Sequence, residues 1–192
     1  IYSLILRKFK KYDEAIKYLE TIKENKNIDF LGQIYSLYLG KGMYSKGFDL
    51  LSIASDIQAI KSFFETKNVS SWDGQSLDNT CLYVYSGKGI AIGDNIFYFR
   101  YLIDLQTKYI GLKIFFCLNK MNLKYLFAHD KIEVIDLNLL NKYISSNNIN
   151  FFSTLPNVAK IYCKQKDNNI PNFKTFLPSS KGKINLWSGY LK

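Results

Sequence analysis

The chain has 192 residues, 47% hydrophobic and 22% charged, enough apolar material for a core beneath an ordinary charged surface. Its net charge is +10, yet Arg7 and Arg100 are the only arginines, and the other basic residues are lysines spread along the chain. Nucleic-acid readers need arginine for bidentate phosphate and base contacts, so that class is set aside, as is a membrane-spanning helix, for which no apolar run reaches about 20 residues.

Residues 1–68 are predicted to be helical and repetitive. "YDEAIKYLETIKENKN" begins at Tyr12 and "YSKGFDLLSIASDIQ" at Tyr44. Aligning the two tyrosines sets Ala15 over Gly47, Ile16 over Phe48 and Leu19 over Leu51. A small residue three positions after the tyrosine lets two antiparallel helices approach closely. Leu31, Ile34, Tyr35 and Tyr38 supply the i, i+3, i+4, i+7 stripe of a preceding helix, and Gly40 and Gly42 break the two apart. The offset is near the period of about 34 residues of tetratricopeptide repeats, and the "Y-x-x-A" and "Y-x-x-G" stretches resemble that family's second helix. Residues 1–11 read as the tail of an earlier first helix, so the chain is expected to be a piece of something longer. Residues 54–70 read as one more helix and a linker, and Asp73-Gly74 as a turn.

From residue 69 the period changes. "CLYVYS" (81–86) reads as a buried strand, residues 95–108 as a helix, "GLKIFFCL" (111–118) as a strand, 119–128 as a short helix and "KIEVIDL" (131–137) as a third strand. Alternating strands and helices predict βαβ units and a parallel sheet, hence an α/β fold. Residues 138–192 are Asn-rich, punctuated by Pro156, Pro171 and Pro178, and give no clear pattern before a short amphipathic piece around Trp187. Cys81, Cys117 and Cys163 form no C-x-x-C pair and read as free thiols of a reducing, cytoplasmic setting. The single histidine, His129, has no Cys/His cluster for a structural metal and no partner nucleophile.

The candidate site lies in "GKGIAIGD", residues 87–94, at the end of the first strand, where ligands of parallel sheets bind. Gly87, Gly89 and Gly93 let backbone approach a ligand, and the helix that follows offers its N-terminus. Position alone leaves Asp94 two roles: helix N-cap, or a carboxylate at the mouth of a cleft able to take a proton from a hydroxyl. The loop is one residue off the dinucleotide fingerprint, and the second strand ends at Asn119 rather than at an acid, so that reading is weak. Lys88 either touches a phosphate or is solvated. Arg100 either meets a phosphate or pairs with Asp104 at i+4. Ser153 either lines the cleft or serves as a loop hydroxyl. The stripe Phe97, Tyr98, Tyr101, Leu102 and Leu105 is predicted to pack the helix onto the sheet.

The order of these elements resembles bacterial tetratricopeptide-repeat proteins that carry a heptosyltransferase-like glycosyltransferase domain of the glycosyltransferase-B type. Trp72, Asp73 and Gly74 precede the first strand; Gly93 and Asp94 end the loop; Phe99, Arg100, Tyr101 and Leu102 follow on the helix. "FFSTLP" (151–156) looks like the family's Ser-Leu-Pro element, with Ser153 and Pro156 matching, and "IPNFKTFL" with Trp187 looks like the linker to a second domain. The resemblance implies residues 69–192 as an N-terminal, Rossmann-like, acceptor-side half-domain. It implies Asp94 as general base, no required metal, a nucleotide-sugar donor held by a C-terminal domain beyond this chain, and repeats that hold a protein or glycan acceptor. The loop here is about two residues longer than the family's Gly-Leu-Gly-Asp. The rival expectation is a non-catalytic interaction module that binds through its repeats.

Overall fold

Short runs of β-branched and aromatic residues form the strands. The computed structural model describes residues 2–21, 28–54, 57–87, 91–118, 124, 126–127, 129–146 and 148–171. Within them β1 (Ser70–Ser71), β2 (Cys81–Tyr85), β3 (Lys113–Leu118), β4 (Ile132–Asp136) and β5 (Phe151–Thr154) make one parallel sheet, ordered β1-β5-β2-β3-β4. Tyr83 of the central strand lies opposite Phe115 of β3 and Phe152 of β5. The predicted α/β class and the strands near 81–86, 111–118 and 131–137 are present.

The strands alternate between two buried faces, as a sheet covered on both sides must. Leu82, Val84, Ile114, Phe116 and Leu118 meet α6 (Ile92–Lys108) and α8 (Leu155–Gln165). Tyr83, Tyr85, Phe115, Cys117 and Phe152 meet α5 (Ile57–Glu65) and α7 (Leu140–Ser146). Phe64 of α5 stacks on Phe152 with centroids 4.8 Å apart and leans on Tyr83 at the same separation. The helix read at the end of the repeats is thus a cover for the sheet.

Four further helices, α1 (Tyr2–Lys8), α2 (Tyr12–Thr21), α3 (Ile28–Gly40) and α4 (Tyr44–Ala54), form two consecutive hairpins. Their turns match bond for bond at an offset of 32 residues. Lys10 N–H donates to Arg7, Lys11 to Leu6 and Ala15 to Lys11; Gly42 donates to Leu39, Met43 to Tyr38 and Gly47 to Met43. This is the Schellman closure, which needs a left-handed residue at its hinge. Gly42 (φ 78°) supplies it freely, whereas Lys10 (φ 57°) adopts it against its own side chain. The small-residue positions behave as the sequence predicts. Ala15 is wholly buried, and a Cβ on Gly47 would stand 2.5 Å from Leu39 Cδ2.

The hairpins are anchored by α4, which lies across α8. Phe48 is fully buried, edge-on to Tyr98 (5.7 Å) and Tyr101 (6.0 Å) of α6. Around it Lys160 reaches Asp49 at 2.9 Å, and Asn168 accepts from Ser45 N–H and donates to the Gly42 carbonyl. This layer alters one expectation. Tyr98 and Tyr101 face Phe48 rather than the sheet, while Phe99 packs on Phe116 of β3 at 5.6 Å. A helix covered by strands below and helices above is apolar nearly all round, so its stripe does not say which side is which.

Among the elements that the sequence left unread are β1, α7, β5 and α8. The helix predicted at 119–128 falls mostly outside the described residues, as do all but the first two residues of "IPNFKTFL" and all of the segment around Trp187.

Candidate functional site

β2 runs to β3 on one side, and β5 returns on the other, so the strand order reverses between β2 and β5. A parallel sheet opens a crevice at such a point, beyond the carboxyl ends of the two strands. Val84 pairs with Ser153 and Tyr85 with Thr154, so both chains leave the sheet at one level, β2 into Ser86-Gly87 and β5 into α8. Gly87, at φ 93°, takes a backbone shape open to glycine. The sequence-predicted Gly87, Gly93, Asp94 and Ser153 all belong to this end of the sheet. Lys88 and Gly89 lie outside the described residues.

Two hydroxyls sit at the floor. Ser153 is 2% exposed, and its Oγ accepts from Asn157 Nδ2 at 3.1 Å; that amide also donates to the Trp72 carbonyl at 3.2 Å. Ser86, held to β3 by its N–H to the Cys117 carbonyl at 3.0 Å, is 1% exposed. Its Oγ has no hydrogen-bond partner among the described residues, an uncommon state for a buried hydroxyl. Strand alternation puts Ser86 on the face of Val84, the same side as Ser153 and the starts of α6 and α8.

The first turn of α6 forms the rim. Its N-cap is Ala91, which has no side chain to cap with, and Asp94 is the third helical residue. The N-cap role for Asp94 is thereby replaced: the carboxylate stands in the first turn, where the helix dipole favours negative charge. Asp94 is exposed, and a Cβ on neighbouring Gly93 would meet nothing within 4 Å. One turn on along the same face, Tyr98 is buried. Burial first, then the Asp94 carboxylate and Tyr35 of α3, hold its hydroxyl well above the ordinary range, with Arg100 acting in the opposite sense. Asp94 therefore lies on the side of α6 that faces the helical layer, at the crevice end of that helix.

Arg100 is not brought to this rim. It lies six residues, about 9 Å, further along α6, and is 8% exposed with its guanidinium 3.8 Å from the Phe97 ring centroid. No ion pair joins it to Asp104, and its Nε and Nη2 have no hydrogen-bond partner among the described residues. Ring faces lie against its guanidinium, where the sequence left a phosphate and the Asp104 carboxylate both open. Trp72-Asp73-Gly74 is a structural corner. The indole Nε1–H donates to the Gln75 carbonyl at 3.0 Å, and Gly74 (φ 100°) lies against Gln165 and Ile161 of α8. His129 Nδ1 accepts from Lys131 N–H at 3.3 Å, away from the crevice.

Sequence reasoning missed Ser86 and Asn157. Ser86 had a readable signal, a hydroxyl between the last strand residue and a glycine. Asn157 had one too, because Thr154, three residues earlier, caps α8 and receives its N–H at 3.4 Å. No group of three or more His, Cys, Asp or Glu able to hold a metal occurs among the described residues, and no helix there is long and apolar enough to cross a membrane. Compared with known family models, curated proteins and solved structures, the chain matches none.

Proposed function

We propose that this chain is the acceptor-side half of a glycosyltransferase of the glycosyltransferase-B kind, with tetratricopeptide-like hairpins attached. In this reading Asp94 takes the proton of an acceptor hydroxyl. The oxygen then attacks the anomeric carbon, the bond from that carbon to the nucleotide diphosphate breaks, and the diphosphate leaves with the electron pair. The donor is expected on a second domain, the acceptor is a glycan or protein held partly by the hairpins, and the setting is cytoplasmic, in keeping with three cysteines free of disulfides.

One observation carries the reading: an exposed carboxylate at the first turn of α6, beside open space, above the carboxyl end of the sheet where its strand order reverses. A general base has to reach solvent-borne substrate before its pKa matters, and Asp94 meets that condition. In the complete protein, Asp94→Asn is expected to abolish sugar transfer, measured as release of nucleoside diphosphate, while donor affinity by calorimetry stays unchanged. Transfer at the parent rate in Asp94→Asn overturns the assignment and leaves the hairpins as a binding module.

A further inference from the structure

The two matched turns share a backbone but not a surface. Where the second reads Gly40-Lys41-Gly42-Met43, the first reads Lys8-Phe9-Lys10-Lys11. Arg7, Lys8, Phe9, Lys10 and Lys11 are all exposed, Phe9 at 69%. Lys11 is paired with Glu14 at 3.2 Å, Lys41 with Asp13, and Arg7 donates to Ser36. Neither Lys8 nor Lys10 has an acid partner among the described residues. A bare aromatic ring thus projects between two unpaired lysines, and one of those lysines occupies the hinge position that the sister turn gives to glycine. A strained residue kept where a relaxed one fits calls for a use.

We propose that the Arg7–Lys11 turn is a docking point for an anionic lipid surface. The exposure and the chemistry together favour that occupant. The turn is an exposed helix-to-helix connection with one apolar ring, which can enter the headgroup boundary of a bilayer while flanking ammonium groups meet lipid phosphates. A protein partner needs about 800 Å² from each side, more than a five-residue turn offers. A nucleic acid would call on arginine forks, and Arg7 is engaged by Ser36.

The test is sedimentation of the complete protein with vesicles of phosphatidylcholine alone, with equimolar phosphatidylcholine and phosphatidylglycerol vesicles, and with homopolymeric RNA. Binding to the anionic vesicles only, lost at high salt, is expected. Phe9→Ser should lower the partition about tenfold, and Lys8→Gln with Lys10→Gln about twentyfold. Lys10→Gly keeps the ring, relaxes the hinge and should still weaken binding about fivefold, which separates the surface role from folding. Equal binding to both vesicles, partition unmoved by these changes, or RNA binding in place of vesicle binding overturns the proposal.

Discussion

Replacing Phe48 with alanine tests whether the hairpins and the sheet are one cooperative body. The ring is fully buried between α4 and α6, edge-on to Tyr98 and Tyr101. Removing a buried phenylalanine costs about 3–5 kcal/mol, a range that already includes its lost ring contacts and the cavity left behind. Tyr98 and Tyr101 are fixed on one rigid helix and only partly close the gap, so the expected loss is near the middle of that range, about 4 kcal/mol. With a urea slope of about 2 kcal/mol/M, the unfolding midpoint should fall by about 2 M. Far-ultraviolet circular dichroism should report it for the helices, and tryptophan fluorescence in a Trp187→Phe background for Trp72 beside the sheet. Phe48→Leu, which keeps most of the volume, should cost under about 1.5 kcal/mol. A loss below about 1 kcal/mol, or a helical signal that melts apart from the tryptophan signal, refutes the argument.

The two sister turns supply an opposed pair. Lys10→Gly should raise stability by about 0.5–1 kcal/mol, because the left-handed conformation no longer opposes a side chain and the gain is partly offset by glycine's freedom when unfolded; Gly42→Ala should lower it by about 1 kcal/mol, both read from urea midpoints. Alkaline pH should unfold the protein from within. Burial first, then neighbouring groups, holds the Tyr83, Tyr98 and Tyr101 hydroxyls above their ordinary 10.0, and burial pushes the Cys117 and Cys163 thiols up to about 11 from 9.0. The fold keeps each group neutral, so its contribution is whole below the unfolded-chain value and drains as pH climbs above it. Urea midpoints should therefore hold through neutrality and decline above about pH 9, with tyrosinate absorbance lagging until the chain opens.

Helices α1 to α6 and the strands β2, β3 and β4 were legible because each carries its own period or a run of β-prone residues. β5 was not: Phe151 to Thr154 is four residues long and follows an Asn-rich stretch, and what makes it a strand is the pair of open edges it fills between β1 and β2. The site was half legible. Gly87 and Asp94 stand out at a strand end, but Ser86 and Ser153 become neighbours only through the register Val84–Ser153 and the way the order reverses. The stripe on α6 misled about its direction because a helical layer above competes with the sheet below. Arg100 misled because three aromatic neighbours in sequence, Phe97, Phe99 and Tyr101, include the rings that hold it.

The placement of β5 also sets the order in which the molecule must close. Phe152 joins Tyr83 across 69 residues and Ser71 across 81, whereas β2 finds β3 within about half that span. The middle of the sheet is therefore finished last, by a strand inserted between two that emerged long before it. Until it arrives, Tyr83 and Tyr85 line a bare edge, the kind that other chains can pair with. Closing so wide a loop makes assembly slow, and the nascent chain passes through a stage in which its centre is its most adhesive part.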